Sequence, residues 1–142
     1  MCLTFGTALK VAVKFLNGYV KDPKSIERNF MHELMVLSRL RHPNVVLFIG
    51  ASFQQPRLAI VTEYMARGSL FSVLHVEQPD VFLRSWNRRL SIALSIAKGL
   101  LYLHAAQPQI VHGDLKSSNV LVDEHFDVKI SDFGLSMIKN SI

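Results

Sequence analysis

HGDLKSSNVLVDEHFDVKISDFG, residues His112 to Gly134, decides how the rest of the chain is read. Ile110 and Val111 form a short apolar lead-in, and the polar run from His112 to Asn119 reads as a loop. That loop carries a carboxylate, an amine and a carboxamide at Asp114, Lys116 and Asn119. Val120, Leu121 and Val122 then read as a strand, Asp123 to Asp127 as a polar turn, and Val128 to Ile130 as the returning strand. Two such arms make a hairpin, and a hairpin brings its ends together. Asp132, just past the second arm, therefore comes back beside Asn119, just before the first.

Two oxygen ligands and a second carboxylate then share one mouth. Mg²⁺ is a hard cation that takes one or two protein carboxylates together with substrate phosphate oxygens, which suits Asn119 and Asp132 as metal ligands. Asp114 is left to accept a proton from an attacking hydroxyl, and Lys116 to neutralise a phosphoryl group in transit. A lone Asp in a loop is ordinarily a turn or cap former. Here the spacing is five residues from Asp114 to Asn119 and thirteen on to Asp132. That pattern resembles the catalytic loop and Mg²⁺ motif of the eukaryotic protein kinases.

The resemblance implies an α+β, two-lobed, protein-kinase-like fold, here partial. Residues 1–65 would be the small lobe up to the hinge, and residues 66–142 the start of the helical large lobe with the catalytic loop and DFG. In the small lobe, Val11 to Leu16 (VAVKFL) reads as a buried strand with one lysine among apolar neighbours. Lys24 to Leu40 reads as the following helix, approached by Asp22 and Pro23, with Ile26, Phe30, Leu34, Leu37 and Leu40 at helical spacing. By composition alone Lys14 could snorkel from an edge and Glu33 could be solvated. The kinase resemblance implies instead that Lys14 holds the nucleotide α- and β-phosphates and that Glu33 fixes the lysine head.

Arg41 to Ser52 (RHPNVVLFIGAS) reads as a turn at Pro43 and an apolar strand, and Leu58 to Thr62 as the next strand, after a polar turn at Gln54 to Arg57. This stretch resembles Raf-like members of the tyrosine-kinase-like (TKL) group. The resemblance puts Thr62, Glu63, Tyr64 and Met65 at the gatekeeper and hinge, with backbone groups of Glu63 and Met65 on the adenine edge. A small Thr62 would leave a back pocket open, although its type alone says only that it favours a strand. The resemblance further implies that Ala12 and Leu121 sandwich the adenine and that Leu37, Phe48, His112 and Phe133 stack across the lobes. Ordinary core packing would explain the same residues.

Ser69 is placed to cap a short helix through Leu74, and Ser85 a long one from about Trp86 to Ala105. The long helix has Leu90, Ala93, Leu94, Ala97 and Leu101 on one face and Ile92, Ile96, Leu100 and Leu103 on another. A helix apolar nearly all round calls for burial on both sides.

Composition excludes several classes. The 142 residues are at most one domain's worth, while a complete two-lobed kinase sits at the upper end of domain sizes, so a piece of one is expected. Hydrophobic residues make up 49% and mean hydropathy is +0.24, yet the longest unbroken apolar run, Val45 to Ile49, is far too short to span a bilayer. The single cysteine, Cys2, cannot form an internal disulfide and no signal peptide opens the chain, which points to the cytoplasm. The net charge of +5 is dispersed without an interleaved aromatic platform, so a nucleic-acid partner is not expected. The six histidines never fall at a zinc-ligand spacing, leaving Mg²⁺ as the metal expected.

Three departures from the kinase pattern stand out. MCLTFGTALK has only Gly6 where a glycine-rich phosphate cover would be, and resembles the end of a second strand. Eight residues follow Gly134, so the activation segment and the later large-lobe helices are expected to be missing and some helix surface left bare. Gly113 replaces the usual arginine, so no arginine-mediated phosphate switch is expected. DLKSSN resembles the serine/threonine form of the loop. The expected function is transfer of the ATP γ-phosphate to serine or threonine hydroxyls of protein substrates. A truncated non-catalytic interaction module and a fragment of a longer gene are the alternatives.

Overall fold

The computed structural model describes residues 2–5, 9–16, 23–54, 57–75 and 85–139. Gly6, Asp22 and part of the turn expected at Gln54 to Arg57 lie outside them. The chain divides into two compact units. One comprises Met1–Arg41 and Leu47–Tyr64, the other His42–Val46 and Met65–Ile142.

The first unit is a four-stranded antiparallel sheet with one long helix. Strands β1 (Cys2–Phe5), β2 (Leu9–Leu16), β3 (Phe48–Ser52) and β4 (Leu58–Glu63) run in the order β1-β2-β4-β3. Strand β2 starts two residues earlier than the apolar run predicts, because β1 pairs with it from Phe5↔Leu9 to Cys2↔Ala12. Val11 and Val13 alternate inward and pack with Ala59 and Val61. Helix α1 (Pro23–Leu37) opens on proline, whose missing N–H costs nothing in the first turn. It ends three residues short of the expected Leu40. The N–H groups of Arg39 and Leu40 bond back only three residues, to Val36 and Leu37, and tighten the chain into a turn. Leu40 is nonetheless buried, which is why the apolar stripe runs past the helix end. Phe30, fully buried, meets Phe53 edge-on at 5.4 Å. The apolar run expected as a strand before Ser52 is regular only from Phe48, with a register shift between Phe48 and Gly50.

In the second unit, strands β5 (Gly68–Ser69), β7 (Val120–Val122) and β8 (Val128–Ile130) form one sheet, and β6 (Gln109–Val111) pairs with β9 (Met137–Lys139). The predicted hairpin is β7–β8, in register Val120↔Ile130. Its turn is organised by Asp123, whose Oδ1 accepts from the N–H groups of His125 and Asp127. Val45 is drawn out of the expected strand and bridges Ile130. Helix α2 (Leu70–Leu74) is capped by Ser69, whose Oγ accepts from Ser72 N–H at 3.1 Å. Helix α3 (Trp86–Ala105) has Ser85 at its N-cap position, but the side chain does not cap; the Ser85 carbonyl takes the N–H groups of Arg88 and Arg89.

The two faces of α3 differ. Ile92 and Ile96 pack on Leu70, Val120, Val122 and Val128, and Leu103 is fully buried. Gly99 passes so near the Asn44 carbonyl that an added Cβ would lie 2.8 Å from it. On the other face Trp86 and Leu101 are 68% and 69% exposed, and Leu90 and Leu94 are exposed too. Burial on both sides is therefore not reached among the described residues, and the helix surface expected to be left bare is exposed there. No helix among the described residues is long and apolar enough to cross a membrane.

Candidate active site

In the first unit the sheet gathers four of the sequence-predicted residues. Ala12 and Lys14 are two apart on β2 and so share a face; the pairings Ala12↔Thr62 and Phe48↔Thr62 add Thr62 and Phe48 to it. Lys14 Nζ donates to both Glu33 carboxylate oxygens, at 2.8 and 2.9 Å. Glu33 sits one turn after Phe30 and one before Leu37 on α1, and it is only 3% exposed. A carboxylate so buried needs its cation, while the Lys14 side chain stays about half exposed, able to reach outward as well.

At the end of β4, the Glu63 N–H donates to the Leu47 carbonyl at 3.0 Å, and the Leu47 N–H donates to Glu63 Oε1 at 2.7 Å. Thr62 Oγ1 donates to the Glu63 carbonyl at 3.3 Å. Tyr64 is exposed. Met65, which opens the second unit's main segment, is buried, and its carbonyl accepts from Gly68 N–H.

In the second unit the loop between β6 and β7 is tied by side chains. Asn119, buried at the end of a 3₁₀ turn (Ser117–Asn119), donates from Nδ2 to the Asp114 carbonyl and to Asp114 Oδ2, both at 2.9 Å. Lys116 Nζ lies 2.7 Å from the same Asp114 oxygen. The Lys116 hydrogen bond holds the Asp114 carboxyl below the usual carboxylate range, with its charge and Asn119 adding to the effect against some desolvation. With Nδ2 turned to Asp114, Oδ1 is the amide atom left for a cation.

The closure that the hairpin predicts between Asn119 and Asp132 is made through Ser131. Its N–H and its hydroxyl both donate to the Asn119 carbonyl, at 2.9 and 3.1 Å. Asp132 follows with φ 63°, a left-handed conformation that a short polar residue adopts more readily than most. Buried His112 bonds to both sides: Nε2–H donates to the Ser131 carbonyl at 2.9 Å, and Nδ1 accepts from Asp114 N–H at 3.3 Å. Its ring lies 4.9 Å from fully buried Phe133. Leu121 is half-buried on β7, and Leu37 and Phe48 lie in the first unit, buried and half-buried.

Ser131 is the residue that sequence reasoning missed, since a serine between a strand and an aspartate carries no periodic signal. Gly113 proves more than a lost arginine. It adopts φ +79°, and an added Cβ would come 2.4 Å from the Leu135 carbonyl oxygen. The segment after Gly134 thus lies directly against the loop, and the turn Phe133–Ser136 is closed by Ser136, whose N–H and Oγ both reach the Phe133 carbonyl.

Oxygen donors at Asn119 and Asp132 are of the kind a hard divalent cation takes. Among the described residues no three His, Cys, Asp or Glu side chains cluster to hold a metal by themselves. A cation here would complete its shell with phosphate and water, as Mg²⁺ does.

A family model described as protein tyrosine and serine/threonine kinase matches residues 4–141. The chain belongs to this protein kinase family. It is 54% identical over 131 residues to the serine/threonine-protein kinase CTR1 of Arabidopsis thaliana, covering 92% of this chain and 16% of that protein. It is 47% identical over 126 residues to the probable serine/threonine-protein kinase drkC of Dictyostelium discoideum, covering 89% and 16%. With the probable serine/threonine-protein kinase SIS8 of Arabidopsis thaliana it shares 49% over 132 residues, covering 93% and 12%. The chain spans about one sixth or less of the length of these kinases.

Proposed function

We propose that the protein transfers the γ-phosphate of ATP to serine or threonine hydroxyls of protein substrates. The carrying observation is the Asp114–Lys116–Asn119 network, tied through the Asn119 carbonyl to the residue before Asp132. Asp114, kept ionised by Lys116, accepts the proton of the attacking hydroxyl and orients its oxygen. Lys116 neutralises charge on the group in transit. Lys14, its head fixed by Glu33, holds the α- and β-phosphates. By the kinase resemblance, backbone groups of Glu63 and Met65 would hold the adenine edge and Ala12 and Leu121 would sandwich the base, with a small Thr62 leaving a back pocket open. Mg²⁺, when bound by Asn119 and Asp132, draws charge from the phosphate oxygens. The relatives named as serine/threonine kinases support the choice of hydroxyl, and a single cysteine suits a reducing cytoplasm.

The second reading, a non-catalytic interaction module, draws on the exposed apolar face of α3. One assay separates them: ³²P transfer from ATP to a serine/threonine peptide mixture by the wild type and by Asp114→Asn. Transfer by the wild type and its loss in the variant is the expected result. Undiminished transfer in Asp114→Asn overturns the assignment of the base, and none in either protein favours the module.

A further inference from the structure

We propose that Ser91 is a phosphorylation site, and that its phosphate is received between Arg88 of α3 and His125 of the β7–β8 turn. Among the serines of the chain, Ser91 alone follows two arginines at the positions three and two before it, in Arg88-Arg89-Leu90-Ser91. A modifying kinase whose cleft presents carboxylates reads such a pair, since each guanidinium offers a fork that matches a carboxylate. Trp86 to Ser91 are all exposed. The stretch that unwinds to enter such a cleft therefore gives up few buried contacts, and local opening of this kind costs less than unfolding the whole unit. In the step itself the Ser91 Oγ attacks the γ-phosphorus of ATP. An O–P bond forms, the bond from the β–γ bridging oxygen to that phosphorus breaks, ADP leaves, and the hydroxyl proton passes to the modifying enzyme's base.

Ser91 also lines a small open cleft, of about 40 Å³, together with Arg88, Ser95, His125, Phe126 and Asp127. At about 10–15 Å³ for each water-sized group, that is room for about three, as many as the terminal oxygens of a phosphoryl group. Arg88 lies three residues before Ser91, so the two are neighbours on one face of α3. Across the cleft the turn is already set. Asp123 Oδ1 holds the N–H groups of His125 and Asp127, and the Arg67 guanidinium stacks 3.7 Å over the Phe126 ring. His125 Nε2 lies 3.5 Å from Glu124 Oε1 in an exposed pair, a weak contact that gives way to a dianion. A phosphate at Ser91 carries about −1.5 to −2 charge. Arg88 and protonated His125 attract it and Asp127 repels it, so two attractions outweigh one repulsion and the phosphate ties α3 to the turn.

The test is incubation of the folded chain with ATP and a purified arginine-directed serine kinase, with the phosphate located by mass spectrometry. An Asp114→Asn background keeps the chain's own proposed activity out of the result, and a synthetic peptide of residues 84–97 shows that the added kinase works. Phosphate on Ser91 and none on Ser95 is the expected result, since Ile92 and Ala93 stand before Ser95 where the arginines stand before Ser91. Arg89→Ala is expected to slow incorporation at least about tenfold, the scale of one charged hydrogen bond. His125→Asn is expected to leave the rate of incorporation unchanged. The receiving role is read on the purified phosphorylated chain: by NMR the His125 ring titrates at higher pH than in the unmodified chain, and the urea midpoint rises, a rise that shrinks in His125→Asn. Incorporation into the peptide but not into Ser91 of the folded chain overturns the proposal, and so does an undiminished rate in Arg89→Ala. Phosphate on Ser91 with neither the His125 titration nor the urea midpoint moved overturns the receiving role.

Discussion

The Lys14–Glu33 pair and the Asp114 loop hold charged groups in opposite ways. Glu33 is sunk into the face of α1 and joined to a strand 19 residues earlier by one bidentate ion pair. Asp114 is only partly covered, and its partners Lys116, Asn119 and His112 all lie within five residues of it. The first arrangement is a single long-range contact whose loss strands a buried carboxylate. The second is a local web in which each strand of support can be cut separately. Loss of one partner therefore leaves a buried carboxylate bare in the first unit and a carboxylate with other partners remaining in the second.

The largest effect is expected at the proposed base. Asp114→Asn removes the proposed proton acceptor while keeping the shape of the web, and transfer should fall by about 10²–10⁴-fold with little change in unfolding midpoint. Next comes Lys14→Met. Leaving Glu33 without its cation should cost about 1–3 kcal/mol of stability, measurable by urea unfolding, as well as most of the transfer activity. Glu33→Gln in the same background should restore part of the stability and none of the activity; no recovery would mean that the buried charge is not the cause. Gly113→Ala should cost at least about 1 kcal/mol, because alanine is strained at positive φ and its Cβ meets the Leu135 carbonyl.

Lys116→Met probes the web through pH. Lys116 keeps Asp114 ionised to lower pH than an ordinary carboxylate, so competence is present above the depressed pKa and is lost as pH falls through it. Without Lys116 the pKa rises toward its ordinary value, and the acid limb of the pH–rate profile should move to higher pH. A limb that stays put would show that Lys116 does not govern the base. The smallest effect is expected on the outer face of α3: Leu94→Ser should change stability by no more than about 0.5 kcal/mol, since Leu94 is already exposed.

How legible each part was follows from how local its signal is. The β7–β8 hairpin could be read directly, because β-branched arms and an aspartate-led turn are local chemistry. Helix α1 was read three residues too long, because Leu40 continues the apolar stripe after the backbone has tightened into a turn. Strand β1 carries little pattern of its own and owes its form to pairing with β2. Ser69 and Ser85 looked equivalent as caps, yet only Ser69 bonds through its hydroxyl. The loop residues Asp114, Lys116 and Asn119 stood out by type and spacing. Ser131 and the side-chain role of Glu63 did not, since both depend on which backbone group a neighbouring strand leaves to be satisfied.

The central claim is that these residues form a nucleotide site, and ligand-linked stability tests it most directly. Urea unfolding would be followed with and without Mg·ATP at a hundred times its Kd, in the wild type and in Asp132→Asn. The account predicts a cooperative transition stabilised by about 2.7 kcal/mol in the wild type and a much smaller gain in the variant. A transition indifferent to Mg·ATP, or one shifted equally in both proteins, would contradict it.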